Sequence, residues 1–209
     1  MLEALETIDW AKLTHAHSEA SNVPRLLRSL LSEDADLRIN ALSTLHEQIW
    51  HQGDVNPASA TAVPFLYELL THSDVQDKWA IVSLLGSIAT GEGAWERNLR
   101  NDGEERCRTI LARQGQSLEQ KLTDEAVALK AIHRNVSEGL QHLLVYLSDR
   151  EGLAPLVALA LGNFPEHASW LVPAIDAALE SESDDHIRDV LTESRDRLTA
   201  PDSQFGILE

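Results

Sequence analysis

Cysteine is almost missing from this sequence. Cys107 stands alone among 209 residues. A single thiol excludes an intrachain disulfide and a cysteine-rich zinc site, and it suits a reducing compartment. Aromatic residues make up only 5 %, and five of the ten are tryptophan. Positive charge is also short: 17 Lys and Arg stand against 34 Asp and Glu, a net charge of −17. A surface of that sign repels phosphate backbones, which argues against nucleic-acid binding. It favours a basic protein as partner. No apolar run reaches the roughly 18 residues that a membrane-spanning helix needs. The most apolar stretch, GLAPLVALALGNF, has the length of a buried helix. The opening MLEALETIDW is acidic and has neither the basic nor the apolar region of a secretory signal. The expectation is a cytoplasmic chain with no membrane span.

What is present is Leu, Ala and acid, a composition that favours helix. Two stretches align at an offset of 40 positions. VPRLLRSLLSEDADLRINALSTLHEQIWHQG starts at Val23, and VPFLYELLTHSDVQDKWAIVSLLGSIATGEG starts at Val63. Each opens with Val-Pro, continues as a Leu-rich helical run, turns at an acidic segment, enters a second helical run and leaves through Gly. Proline belongs in the first turn of a helix, where its missing N–H has no partner to lose. Asp34 or Asp36, and Asp74, are the expected caps of the second helices. Helical spacing assigns Leu37, Ala41, Leu42, Leu45 and Ile49 to the core face of one second helix. It assigns Ala80, Ile81, Leu84, Leu85 and Ile88 to that of the other. A single pair cannot bury such faces, whereas stacked pairs can.

Two more pairs are expected over 136–199. The first consists of helices at Ser137–Ser148 and Glu151–Gly162. The second consists of helices near Ala168–Glu180, where Pro173 threatens a late start or a kink, and Asp184–Leu198. Ile187, Val190, Leu191, Ser194 and Leu198 form the inner face of the last helix. Its polar outer face suits a terminal cap. Residues 1–22 read as an N-terminal cap, and 200–209 as a tail. Residues 91–135 interrupt the pattern: TGEGAWERNLRNDGEE reads as a loop, ERCRTILARQG and TDEAVALKAIHRNV as short helices. Residues 101–135 balance six basic against six acidic side chains, so this insertion is the least acidic surface. The expected fold is all-α: one α-solenoid domain of about four helical pairs, with the insertion between the second and third.

The second helices DADLRINALSTL and DDHIRDVLTESRDRL resemble HEAT repeats. The closest likeness is the acidic turn followed by an aliphatic residue and Arg, at Leu37-Arg38 and Ile187-Arg188. The second pair departs from it, with Lys78 and Trp79 near that place. IWHQG, AVPFLYELL and NFPEHASWLVPAI are similar to segments of small bacterial HEAT-repeat proteins. The resemblance covers about 20–90 and 136–198. It implies an interaction scaffold whose concave face is lined by second helices.

No catalytic motif stands out. There is no HExxH, no phosphate loop and no nucleophile elbow. His15 and His17, two apart, would diverge on a helix. His46, His133, His142 and His186 occupy polar helical positions. No metal and no cofactor is expected, and the chain is read as a binding protein, not an enzyme. The partner is another protein, plausibly basic, and an immunity or antitoxin-like protein masking a basic toxin is one form of this reading. Asn40, Thr44, Glu47, Lys78 and Trp79 flank the second-helix core positions and are the candidate contacts. Trp50, His51 and Trp95 form a secondary candidate. Trp50 and His51 close the first pair, where Trp10 and Leu13 of the N-terminal cap are expected to meet Trp50 or its neighbours. The alternative is an enzyme or small-ligand protein with a pocket at the insertion, using His133, Cys107 and Trp95. Nucleic-acid binding would rest on Arg97, Arg100, Arg106, Arg108 and Arg113.

Overall fold

A computed structural model describes residues 1–148 and 152–200. Among them every regular element is helical, and pairing of extended backbone is confined to three isolated bridges. Residues 201–209 of the expected tail, and the Glu151 start expected for one helix, lie outside the described residues. The chain divides into two compact units, one over Met1–Gly139 and one beginning at Leu140.

In the first unit, helix α1 (Val23–Ser29) pairs with α2 (Ala35–Ile49), and α3 (Pro57–Thr71) with α4 (Lys78–Ala89). α1 also packs on α3, and α2 on α4. Pro24 sits in the first turn of α1, as expected. The Asp34 carboxylate caps α2 through the N–H groups of Asp36 and Leu37. The other first helix differs. α3 starts at Pro57, six residues before Val63, under a capping box between Asn56 and Ser59. Pro64 therefore lies inside the helix, where its ring cannot donate to the Ala60 carbonyl. That carbonyl instead accepts the Asn135 amide at 2.8 Å. Asn135 comes from α7 (Leu118–Ser137), which packs on α3 and α4.

α4 begins after Asp77, not Asp74, and no side chain caps it. The Asp77 carboxylate is engaged elsewhere, at 2.6 Å from Nε of Arg38. Arg38 is only 6 % exposed, and its Nη1 also donates to the carbonyls of Ser32 and Glu33. It occupies the core register with Ala41, Leu45 and Ile49, which turns Leu37 out to 54 % exposure. The expected core face of α2 is thus corrected by one position at its start. On α4 the expected Ile81, Leu84, Leu85 and Ile88 are buried, joined by Val82, while Ala80 is half-buried.

The insertion is more ordered than its sequence suggests. The stretch read as loop contains α5 (Ala94–Asp102), and α6 (Glu104–Arg113) follows directly. Gly103, at φ 84°, makes the corner between them. Cys107, Leu111 and Leu118 form a small core that Trp95, Leu99 and Leu122 complete. The N-terminal segment forms short 3-10 turns at Glu3–Thr7 and Trp10–Lys12. Trp10 belongs to the second of these turns. It is buried against Phe65 of α3, with ring centroids 6.2 Å apart, and its indole N–H donates to Leu5.

In the second unit, the helix expected over Ser137–Ser148 is replaced. α7 runs on to Ser137, and 3-10 turns follow at Leu140–His142 and Leu144–Ser148. Then come α8 (Ala154–Leu161), α9 (Ala168–Ser181) and α10 (Asp185–Thr199). α10 packs on α8 and α9. Pro173 is accommodated inside α9 with no late start. Leu191, Ser194 and Leu198 face inward as expected, while Ile187 and Val190 are half-buried. Asp184 caps α10 through Ile187 N–H, and Arg188 reaches back to the carbonyls of Leu179 and Glu182. The pair Asp34 and Arg38 makes the same back-bonded turn in the first unit.

Candidate functional site

Two places in the first unit gather the candidate residues. The first is the outward side of α2 and α4. With Arg38, Ala41, Leu45 and Ile49 turned inward, Leu37, Asn40 and Glu47 lie exposed and Thr44 half-exposed on α2. Thr44 Oγ1 donates back to the Asn40 carbonyl at 2.7 Å. Ile39 is 59 % exposed, and Trp79 at the start of α4 is 53 % exposed. Lys78 beside it is half-exposed. Ile39 and Trp79 are 40 positions apart, the offset that also relates the buried pairs Ala41 with Ile81 and Leu45 with Leu85. The two large apolar side chains therefore hold equivalent positions on neighbouring helices. Exposed carboxylates of Glu33, Asp36, Glu47 and Asp74 accompany them. Neither Leu37 nor Ile39 stands among the sequence-derived contacts. The signal for both was the spacing 38, 41, 45, 49, which becomes legible once an arginine is accepted on a core face.

The second place is the junction after α2. Trp50 is half-buried, and its Nε1 is enclosed without a hydrogen-bond partner. The His46 ring stands edge-on to it at 4.8 Å, and burial holds that ring below 6.5. His46 is thus not the solvated residue that its polar helical position suggests. His51 and Asp54 exchange both backbone hydrogen bonds across Gln52 and Gly53, whose φ values of 53° and 96° make a tight left-handed turn. Glycine is at home at the second of these positions. Arg97 from α5 forms an ion pair with the Asp54 carboxylate: Nη2 donates to Oδ2 at 2.8 Å, while Nη1 lies 2.6 Å from Oδ1 but donates to the Gln52 carbonyl. Burial raises the Asp54 pKa, and Arg97 opposes that without reversing it. Glu125 of α7 caps α5 by accepting from the N–H groups of Trp95 and Glu96, and burial raises its pKa as well.

The remaining candidates are placed as follows. Trp95 belongs to the small core of the insertion, and Cys107 is 1 % exposed within it. Arg97 and Arg100 are paired with Asp54 and Glu92, and Arg106 and Arg108 with Asp102 and Glu104. Arg108 also bonds Glu119, which holds that carboxyl down at about 2. Four of the five arginines in the expected basic stripe are therefore neutralised locally. His133 is half-buried on α7. Among the described residues, shallow depressions include one of about 530 Å3 along α10 and one of about 380 Å3 along α6 of the insertion. Neither is lined by Trp95, Cys107 or His133. Among the described residues, no three His, Cys, Asp or Glu side chains are grouped to hold a metal ion, and no helix is long and apolar enough to cross a membrane. No protein-family model and no curated protein sequence matches the chain.

Proposed function

We propose that this chain is an α-solenoid interaction protein, not an enzyme, that binds another protein over the outward side of α2 and α4. The observation that carries this reading is the exposure of Ile39 and Trp79 at equivalent positions of adjacent helices. Large apolar side chains left in water together mark an interaction surface, and tryptophan is a frequent anchor of binding energy. Leu37, Asn40, Thr44, Glu47 and Lys78 supply the rim. Stacked pairs in the first unit, and the back-bonded Asp34–Arg38 and Asp184–Arg188 turns, support a HEAT-like repeat. The carboxylates around the anchors, with the net charge of −17, favour a basic partner and speed its approach. A basic toxin masked by an immunity or antitoxin-like protein fits that charge. The lone buried Cys107 suits the cytoplasm.

The test pairs wild type with an Ile39→Ser, Trp79→Ser variant, each immobilised and exposed to lysate of the source organism. We expect wild type to retain a protein of basic isoelectric point that elutes as salt rises. The variant, unchanged in circular dichroism, should lose at least about thirtyfold in affinity for it. Equal retention by both forms overturns the assignment of the surface.

A further inference from the structure

The histidines of the N-terminal segment do not belong to the binding surface, and their geometry has its own consequence. His15 and His17 are not on a helix. They lie in a turn where Thr14 bridges Glu19 and the His15 N–H donates to the Ser18 carbonyl at 2.9 Å. The His15 side chain is folded into that turn at 7 % exposure. Its Nδ1 accepts two backbone hydrogen bonds, from His17 N–H at 3.1 Å and Ser18 N–H at 3.3 Å. An acceptor nitrogen carries no proton, so the turn requires the neutral ring with its hydrogen on Nε2.

The same turn ties the N-terminal segment to the helices. Ala16 N–H donates to Gln48 at the end of α2 at 2.9 Å, and the Thr14 carbonyl accepts Ala58 N–H at the start of α3 at 3.2 Å. The His17 ring meets His51 edge-on at 4.9 Å, and Asn22 bonds Gln48. We propose that this turn is a proton-operated latch: it is closed by neutral His15, and it releases residues 13–18 from α2 and α3 when the ring takes up a proton. Protonation at Nδ1 would aim a third N–H at two others and leave a charge where water is excluded. The titratable groups around it are His17 and Glu19 in the same turn, and His51 across the junction with Asp54 and Arg97 behind it. α2 contributes His46, against Trp50. The charged group that acts on His15 is His17, of like sign, and it disfavours a proton on the His15 ring.

Burial first, then His17, hold the His15 ring below its ordinary 6.5, and a hydrogen bond with Asn22 opposes this without reversing it. The sign follows. The unfolded turn binds a proton more tightly than the closed one, so the latch is fully closed above about pH 6.5. It weakens as pH falls from there toward the lower folded value.

Amide hydrogen exchange read by NMR at about pH 7.5 and about pH 5.5, corrected for intrinsic rates, tests this. Protection of Ala16 and Ala58 is expected to fall several-fold, up to about tenfold, relative to Leu66 and Leu84. His15→Asn offers a carbonyl oxygen in place of Nδ1 and cannot titrate, so it should keep the protection and lose its pH dependence. If the Asn variant fails to form the turn at either pH, wild type decides: the two amides must lose protection as pH falls below about 6.5 and level off at the midpoint of the His15 ring resonance. Protection that is flat with pH, a His15→Asn variant with the full pH response, or a midpoint that follows a different histidine overturns the latch.

Discussion

Arg38→Met destabilises the first unit by about 3 kcal/mol, the larger of two stability effects expected from single side chains here. Methionine matches the stem of arginine but supplies no donor. Three groups lose their partner together: the Asp77 carboxylate and the carbonyls of Ser32 and Glu33. Removing one half of a fully buried pair costs about 3–5 kcal/mol. The Asp77 side chain keeps 27 % exposure and regains some hydration, which places the value at the low end. Arg38→Lys restores the charge but not the fork that reaches three oxygens, so it recovers only part of the loss. A urea melt followed by tryptophan fluorescence measures this in a Trp170→Phe background, because Trp10, Trp50, Trp79 and Trp95 all lie in the first unit. A loss under about 1 kcal/mol would show that the arginine is dispensable to the first unit.

Gly139→Ala is expected to cost about 2–3 kcal/mol in the same assay. A methyl group there would stand 2.4 Å from two ring carbons of Tyr67. The ring has nowhere to go: it is 8 % exposed, and its hydroxyl donates to the Val136 carbonyl at 3.1 Å. Burial also pushes the phenol pKa up, so the hydroxyl stays a donor through the neutral range. The cause can be isolated by a double-mutant cycle. In a Tyr67→Leu background the ring is gone, and Gly139→Ala should be nearly neutral. An additive penalty in the double variant would place the clash elsewhere.

Much of the fold could be read locally. The spacing of Ala41, Leu45 and Ile49, of Leu84, Leu85 and Ile88, and of Leu191 and Leu198 named the buried sides of their helices. The cap of α2 is Asp34, one of the two residues expected there. The misread places share one property: each is decided by a partner far along the chain. Val63-Pro64 looked like a helix start because Val23-Pro24 is one. Asn135, distant in sequence, removes the penalty for a proline inside α3. Arg38 belongs on a core face only because Asp77 waits there, and Asp74 lost its capping role because α4 starts after that same Asp77. The 90–105 stretch looked like loop because its helix needs Glu125 as a cap and Arg97 tied to Asp54. The site was half legible. Trp79 was singled out by its marginal position, whereas Ile39, its equivalent on α2, was hidden by assigning Leu37 to the core.

The amide of Asn135 on the Ala60 carbonyl also bears on how the chain can be cut. During synthesis α3 emerges well before α7 and carries a bare carbonyl in its middle until α7 arrives. A fragment ending near residue 90 would hold both aligned repeats yet leave that oxygen, and the apolar sides of α3 and α4, without cover. The smallest autonomous piece of this protein is therefore set by the far end of α7 and not by the repeat boundary. Shortening the α5–α6 excursion while keeping α7 should trim the molecule, whereas truncation ahead of α7 should leave it unfinished.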